Sequence, residues 1–161
     1  TLKEKADIAQ NAIDLARSLG IETPKVAILS AVEMVNPDIN STIDAAALCK
    51  MADRGQIRGA VLAGPLAFDN AISEIAARTK SIPSPVAGRA DILLVPNIEA
   101  GNMLAEQLQY FAGADSAGIV LGARVPVILT SRADNVRMRV GSAAVAKLVV
   151  HARRTAVPPL K

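Results

Sequence analysis

The chain has 161 residues, of which 51% are apolar and only 2% aromatic, and it contains no tryptophan. This length suffices for one domain whose core consists of Ala, Val, Ile and Leu, as is typical of helices layered on a parallel sheet. The formal net charge of +3 comes from basic residues interleaved with acidic ones. Scattered charge and scarce aromatic side chains disfavour nucleic acid as a partner and leave a phosphorylated small molecule open.

No apolar run approaches the ~18 residues that a membrane span requires, and the first residues do not resemble a signal peptide. We therefore expect no membrane partner. Cys49 is the single cysteine. A lone thiol in a helical pattern predicts a buried, unreactive side chain in a reducing compartment, and hence a cytoplasmic protein.

Helix and strand patterns alternate along the chain. Helices are predicted at residues 4–19, 42–54, 70–80, 101–111 and 134–153. Strands are predicted at residues 25–30, 58–63, 91–95, 116–121 and 125–130. Gly20, Gly55 and Gly113 follow three of the helices, as helix-ending glycines do. This near-strict alternation predicts an α/β fold with a mainly parallel sheet and helices on both faces.

Four polar loops follow predicted strands, at residues 36–38, 64–70, 96–102 and 131–134. In a parallel sheet these loops emerge at one edge, where open α/β sheets bind their ligands. An antiparallel strand would remove its loop from this set. We expect any chemistry at this edge of the sheet.

Ser131 and Arg132 lie between a predicted strand and the last helix. A hydroxyl, helix-opening N–H groups and a guanidinium can together bind a phosphate. A capping serine beside a solvated arginine explains the same pair equally well. Asp134 is a plausible cap of the helix that follows.

Asn97, Glu99 and Asn102 surround Gly101 in the third polar loop. Their side chains can hold an acyl carbonyl, a ribose hydroxyl or a metal, and Gly101 would allow a ligand to approach the backbone closely. The alternative is a well-capped turn that leads into a helix.

The loop at residues 64–70 has the same character. Asp69 and Asn70 can be helix caps or ligand contacts.

Several common site motifs are absent from the sequence. It has no glycine-rich dinucleotide or nucleotide triphosphate loop and no cluster of Cys and His that can hold zinc. The single histidine, His151, is expected on the surface near the end of the last helix. Without a triad or a credible nucleophile, a covalent acyl-enzyme is disfavoured.

Three segments carry a resemblance to a known family: GPLAFDNAIS at residues 64–73, ADILLVPNIEAGNML at 90–104 and GARVPVILTSRADN at 122–135. In order and spacing they resemble the phosphate acetyltransferase/phosphate butyryltransferase family, and the resemblance covers residues 12–147. It implies transfer of an acyl group between coenzyme A and inorganic phosphate, with acyl-CoA and phosphate as substrates and no permanently bound cofactor or metal. It also implies a two-domain α/β fold similar to isocitrate and isopropylmalate dehydrogenases, with the site between the domains.

By this resemblance, Ser131 and Arg132 would bind the phosphate or acyl phosphate. The remaining residues of the cleft would be Asn97, Glu99, Gly101, Asn102, Gly64, Pro65, Asp69 and Asn70. The acetyltransferase branch has an aspartate, its proposed base, seven residues after the serine, where this chain has Met138. The sequence TSRAD is closer to the butyryltransferase branch, which leaves Asp134 as the proposed base or as a helix cap.

Family members are much longer than this chain. The resemblance therefore implies a C-terminal portion, residues 1–154, in which residues 20–115 form the second domain and residues 116–154 return to the first. Residues 155–161 would be a tail. We expect such a portion to be inactive alone and to associate with copies of itself through exposed apolar surface, as a homo-oligomer.

Two other functions stay open. One is a non-catalytic coenzyme A-binding or regulatory domain of the same fold. The other is a metal- and NAD-dependent decarboxylating dehydrogenase, which the lack of a clear set of acidic metal ligands disfavours.

Overall fold

The computed structural model describes residues 1–155, which form six helices and five strands. The helices are α1 Leu2–Ser18, α2 Asn40–Asp53, α3 Phe68–Ile72, α4 Glu74–Thr79, α5 Ile98–Tyr110 and α6 Val136–Thr155. The strands are β1 Lys25–Leu29, β2 Val61–Leu66, β3 Ile92–Leu94, β4 Ile119–Val120 and β5 Val127–Ile128. Residues 156–161, most of the predicted tail, lie outside the described residues.

A three-stranded parallel sheet forms the centre, in the order β2-β1-β3. The central strand β1 is buried from Val26 to Leu29, as expected for a strand covered on both faces. The chain passes from β1 to one neighbour and then crosses to the other. The predicted α/β fold with a parallel sheet is therefore confirmed.

Side chains of β1 alternate between two hydrophobic clusters. Val26 and Ile28 pack with residues of α1 and α2, whereas Ala27 and Leu29 pack with residues of α3, α4 and α5. Because successive strand residues point to opposite faces, the two clusters place helices on both faces of the sheet. The buried apolar residues are Ala, Val, Ile and Leu, as the composition predicts.

The last two strands do not join this sheet, and their prediction as members of one parallel sheet is wrong. β4 and β5 pair antiparallel in a separate two-stranded hairpin. Each has two paired residues, and the Leu129 N–H donates a further hydrogen bond to the Gly118 carbonyl at 3.1 Å. The hairpin is fixed to α6, where the Ser142 hydroxyl accepts a hydrogen bond from the Gly118 N–H at 2.9 Å.

Strand β2 starts and ends later than its prediction at residues 58–63. The Gln10 side chain of α1 binds both the N–H and the carbonyl of Arg58, at 2.9 and 3.1 Å, and holds that residue outside the sheet. The strand then continues to Leu66, which pairs with Leu29. Pro65 is tolerated within β2 because β2 is an edge strand.

The single helix predicted at residues 70–80 is two short helices, α3 and α4. Ser73 between them is extended, with φ −114° and ψ 114°. Its hydroxyl accepts a hydrogen bond from the Ala76 N–H at 3.2 Å and so caps α4. Ser73 is therefore both the end of α3 and the cap of α4. Apolar periodicity alone does not reveal such a break.

Other element bounds differ from prediction by a few residues at the caps. α5 begins at Ile98 instead of residue 101, and α6 begins at Val136 instead of residue 134. The predicted helix stops are confirmed, since Gly20, Gly55 and Gly113 all have positive φ. Within residues 1–155, no helix combines the length and the apolarity needed to cross a bilayer.

Candidate functional site

The three loops that follow β1, β2 and β3 emerge at one edge of the sheet, as predicted. The loop at residues 131–134 does not, because it follows the antiparallel strand β5. The predicted site residues lie in three parts of the structure: around β2 and α3, in the first turns of α5, and in the turn that precedes α6.

Gly64 and Pro65 belong to β2 itself, and their predicted place in a loop is wrong. A Cβ atom on Gly64 would lie 2.8 Å from the Ile28 Cβ and 2.9 Å from the Ile28 carbonyl oxygen. Pro65 is buried. Close packing of β2 against β1 accounts for the glycine at this position.

Asp69 and Asn70 open α3 and belong to a polar cluster at the carboxyl edge of the sheet. The Lys80 ammonium lies 2.7 Å from a Glu33 carboxylate oxygen and 2.9 Å from an Asp69 carboxylate oxygen. The hydrogen bond from Lys80 lowers the pKa of both carboxyl groups. This cluster ties the loop after β1 to α3 and α4.

Asn70 is fully buried beneath this cluster. Its side-chain Nδ2 donates a hydrogen bond to Glu33, and its Oδ1 has no partner among the described residues. Sequence reasoning missed both Glu33 and Lys80. The sequence signal that could have found Glu33 was its position, a carboxylate a few residues after the central strand β1.

The start of α5 contains three of the predicted site residues. The Asn97 side chain accepts a hydrogen bond from the Ala100 N–H at 2.9 Å, so Asn97 is the N-cap. Glu99 is exposed in the first turn. A Cβ on Gly101 would lie 2.9 Å from a methyl of Val95, the residue after β3, so the packing of α5 against this residue favours glycine here.

The turn before α6 is closed by its own side chains. The Asp134 carboxylate accepts a hydrogen bond from the Ser131 N–H at 2.7 Å, and the Ser131 hydroxyl accepts one from the Ala133 N–H at 3.3 Å. Asn135 accepts from the Met138 N–H at 3.0 Å. The cap of α6 is therefore Asn135, and the prediction of Asp134 as the cap is wrong.

Two arginines at this turn have different environments. The Arg139 guanidinium donates to the carbonyls of Ser131, Arg132 and Asp134, at 3.3, 3.4 and 3.1 Å, and braces the turn from the helix side. Arg132 is exposed, and its guanidinium has no hydrogen bond to another described residue. The bracing role of Arg139 was not visible in the sequence, because it depends on how the turn folds back.

A cavity of about 370 Å³ lies between α5 and this turn, and is named here the α5–turn cavity. Its polar lining comes from residues Asn102, Glu106, Gln109, Ser131, Asp134 and Asn135. Asn102 donates to Glu106 at 3.3 Å along the helix. Of the predicted site residues, Asn102, Ser131 and Asp134 are the ones that the fold brings together here.

A second cavity of about 400 Å³ lies at the carboxyl ends of β1 and β3. It is mostly apolar, with Leu29, Phe68, Val95 and Leu104 in its walls. This is the point where the strand order reverses, the usual ligand crevice of an open α/β sheet. It lies on the sheet side of α5, whereas the α5–turn cavity lies on the opposite side of that helix.

Cys49 is half-buried, and its thiol lies 3.7 Å from the Gly64 carbonyl oxygen. Burial raises the pKa of this thiol to about 11. The raised pKa agrees with the prediction of an unreactive cysteine, whereas the side chain is half-buried and not fully buried as predicted. No group of three or more His, Cys, Asp or Glu side chains in residues 1–155 is arranged to hold a metal ion.

Comparisons with known proteins give a consistent result. The family model for phosphate acetyl/butaryl transferase matches residues 1–147. The chain is 64% identical over 155 residues to the phosphate acetyltransferase of Rhizobium meliloti, covering 96% of the chain and 49% of that relative. It is 52% identical over 148 residues to the phosphate butyryltransferase of Clostridium acetobutylicum, covering 92% of the chain and 49% of that relative.

A solved structure agrees with the sequence matches. The crystal structure of a branched-chain phosphotransacylase from Enterococcus faecalis V583 aligns with a TM-score of 0.85 at 38% identity. The alignment covers 94% of this chain and 55% of that one. The chain belongs to the phosphate acetyl/butaryl transferase family, and it spans about half the length of the curated relatives it matches.

Proposed function

We propose that this chain is part of an acyltransferase that moves an acetyl or short-chain acyl group between coenzyme A and inorganic phosphate. The observation that carries the proposal is the convergence of Ser131, Asp134 and Asn102 on the α5–turn cavity. Arg132 follows Ser131 in the exposed turn. The family membership and the names of the relatives support the same chemistry.

The phosphate or acyl phosphate would bind Ser131 and Arg132. The Ser131 N–H is already bonded to Asp134, so the groups left for an anion are the Ser131 O–H and the Arg132 guanidinium. A guanidinium donates two parallel hydrogen bonds to a phosphate, and a hydroxyl adds a third donor. Charge neutralisation by Arg132 would also favour the phosphate as a leaving group.

The reaction needs no covalent protein intermediate. The coenzyme A thiol attacks the acyl carbonyl, a C–S bond forms, the C–O bond to phosphate breaks, and the thiol proton passes to a base. Asp134 is the proposed base, because its carboxylate lines the same cavity as Ser131. The main contribution of the protein would be to position two substrates, with coenzyme A as a substrate and not a resident cofactor.

The other predicted residues form a second part of the proposed cleft. Asn97, Glu99 and Gly101 lie at the start of α5, and Asp69 and Asn70 lie at the carboxyl edge of the sheet. The second domain at residues 20–115 and a segment at residues 116–154 that returns to a first domain remain our proposal. The separate hairpin β4–β5 and its attachment to α6 support that division.

We further propose a two-domain arrangement like that of the isocitrate and isopropylmalate dehydrogenases, in which the opposite wall of the cleft would come from a longer protein. We also propose a homo-oligomer and a cytoplasmic location. Large apolar side chains exposed on the surface support association, among them Tyr110 at 73% and Phe111 at 90% exposure.

The test compares acyl phosphate formation by the purified 161-residue chain and by the longer protein that contains it. We expect activity only in the longer protein. In that protein, Ser131→Ala and Arg132→Ala should each lower the rate by about 100-fold or more. Arg137→Ala is the matched control, because the Arg137 guanidinium is paired with Asp115 at 2.9 Å and should be dispensable for transfer.

Unchanged rates in both the Ser131 and the Arg132 variants would exclude this phosphate site. Robust turnover by the 161-residue chain would exclude the proposal that it is inactive alone. If the longer protein bound coenzyme A without any turnover, a non-catalytic binding domain would be the better assignment.

A further inference from the structure

The α5–turn cavity has an apolar side that the proposed chemistry does not yet use. Its apolar lining consists of Ala105, Tyr110, Ala133 and Met138. Ala105 and Tyr110 come from α5, and Met138 comes from the first turn of α6. These residues and Ser131 line the same cavity.

The Met138 backbone is fixed by hydrogen bonds in both directions. Its N–H donates to the Asn135 side chain at 3.0 Å, and its carbonyl accepts from the Ser142 hydroxyl at 2.9 Å. Ser142 is fully buried and also accepts from the Gly118 N–H. A backbone held in this way gives the Met138 side chain a defined place in the cavity wall, although methionine itself is flexible.

Ala105 lies between the polar residues of α5 that line the same cavity. Asn102, Glu106 and Gln109 are spaced three and four residues apart, so they occupy one side of the helix. Ala105 is exposed and has the smallest side chain on this side of α5. A larger residue here would reduce the space next to Ser131.

The chemistry of the substrate fixes where its acyl chain has to lie. In an acyl phosphate the carbonyl carbon and the phosphorus atom are separated by a single oxygen. Because Ser131 lines the α5–turn cavity, the acyl carbonyl of a phosphate bound to Ser131 would lie within reach of that cavity. The apolar cavity at the end of β1 and β3 is not lined by Ser131.

We propose that Met138 and Ala105 form the acyl-binding wall and set the length of acyl chain that the enzyme accepts. This inference rests on the proposed function and specifies its substrate. The Met138 side chain, on α6, limits the depth of the α5–turn cavity. The small Ala105 side chain, on α5, leaves room in the same cavity for the acyl chain. An apolar wall discriminates between chains that differ by a methylene by about 10- to 200-fold.

The test uses whichever form of the protein makes acyl phosphate, this chain or the longer one. The ratio of kcat/KM for butyryl-CoA to that for acetyl-CoA is measured in two opposite variants. Met138→Ala, which enlarges the space, should raise the ratio about tenfold. Ala105→Leu, which fills the space, should lower it by a similar factor with less effect on acetyl transfer.

Two matched controls change the same residue types outside this cavity. Met103→Ala alters an exposed methionine of α5, and Ala143→Leu alters an exposed alanine of α6. Both should leave the ratio unchanged. If Met138→Ala did not fold, Ala105→Leu would decide, since it adds volume at an exposed position.

A ratio that stays constant in the folded variants would overturn the inference while acyl transfer itself persists. Equal losses with both acyl groups would also overturn it, because they would indicate a general role. Failure of the proposed function has a different signature: the unaltered protein would then transfer no acyl group of any length.

Discussion

The Asp134 carboxylate accepts the Ser131 N–H at 2.7 Å and closes the turn that precedes α6. This contact occupies the Ser131 N–H, which could otherwise donate to a bound anion. The Ser131 O–H is then the donor of this residue that a phosphate could use. It also places the carboxylate next to the proposed phosphate site. Asp134 thus closes the turn in the structure and is also the base that we propose for the reaction.

Asp134→Asn separates these two roles, because an amide oxygen still accepts the Ser131 N–H but cannot take a proton from a thiol. We expect a normal thermal midpoint and a loss of acyl transfer of about 100-fold or more. Asp134→Ala should lower both the thermal midpoint and the rate of acyl transfer. Full activity of a folded Asp134→Asn protein at every pH would show that Asp134 is not the base.

Gly64→Ala should destabilise the protein because the added Cβ meets both Ile28 and Ala45, at 2.8 and 3.3 Å. Overpacking of this kind costs about 1–3 kcal/mol. Gly141→Ala is the control: its Cβ has only an ordinary contact at 3.7 Å, and alanine is favoured in a helix. Urea unfolding curves measure both, and equal stability of the two variants would contradict the packing argument.

Lys80→Met should reduce stability in a pH-dependent way. In the folded protein Lys80 lowers the pKa of Glu33 and Asp69, so ionisation of both carboxyl groups favours folding. This contribution is present above their ordinary pKa of about 4 and is lost as the pH falls through the lowered values. The difference in thermal midpoint between Lys80→Met and the unaltered protein should therefore be largest near neutral pH and narrow in acid.

Lys50→Met provides the comparison, because within residues 1–155 Lys50 forms a single ion pair, the exposed one with Asp53. Exposed pairs contribute little, and this variant should show a smaller effect. A difference for Lys80→Met that did not vary with pH would mean that the lysine stem, and not its charge, stabilises the cluster.

Cys49 should react slowly with alkylating reagents at pH 8 in the folded protein. Burial raises the pKa of its thiol from 9.0 to about 11, which lowers the thiolate fraction about 100-fold. Denaturant should restore rapid labelling. Mass spectrometry over a time course measures both rates, and equal rates in the folded and unfolded states would show that the thiol is accessible and ionised.

Local patterns predicted most of the elements, and the failures have identifiable causes. Gly20 and Gly55 marked helix ends correctly, because positive φ is a property of the residue itself. The bounds of β2 were missed because a contact from Gln10, 48 residues away in sequence, holds Arg58 outside the sheet. The break at Ser73 was missed because the sequence does not distinguish a serine inside a helix from a serine at a helix cap.

The candidate site was predictable in part. Ser131, Asp134 and Asn102 were singled out from the sequence, and they line one cavity. Glu33 and Lys80 were not, because their contact joins two loops that only the sheet brings together. Gly64 was assigned to a ligand-binding loop, whereas packing against Ile28 explains it.

Periodicity, glycine helix stops and three local motifs are properties of short stretches, and they were enough to predict the class of fold, the composition of the core and the family. The strand pairing, the contacts between loops and the sharing of one cavity by α5 and the turn at Ser131 become visible only in the folded chain. Those depend on which groups meet when the chain folds and become hydrogen-bond partners. β4 and β5 pair with each other in their own hairpin, and in the exposed turn before α6 the Ser131 N–H donates to the Asp134 carboxylate.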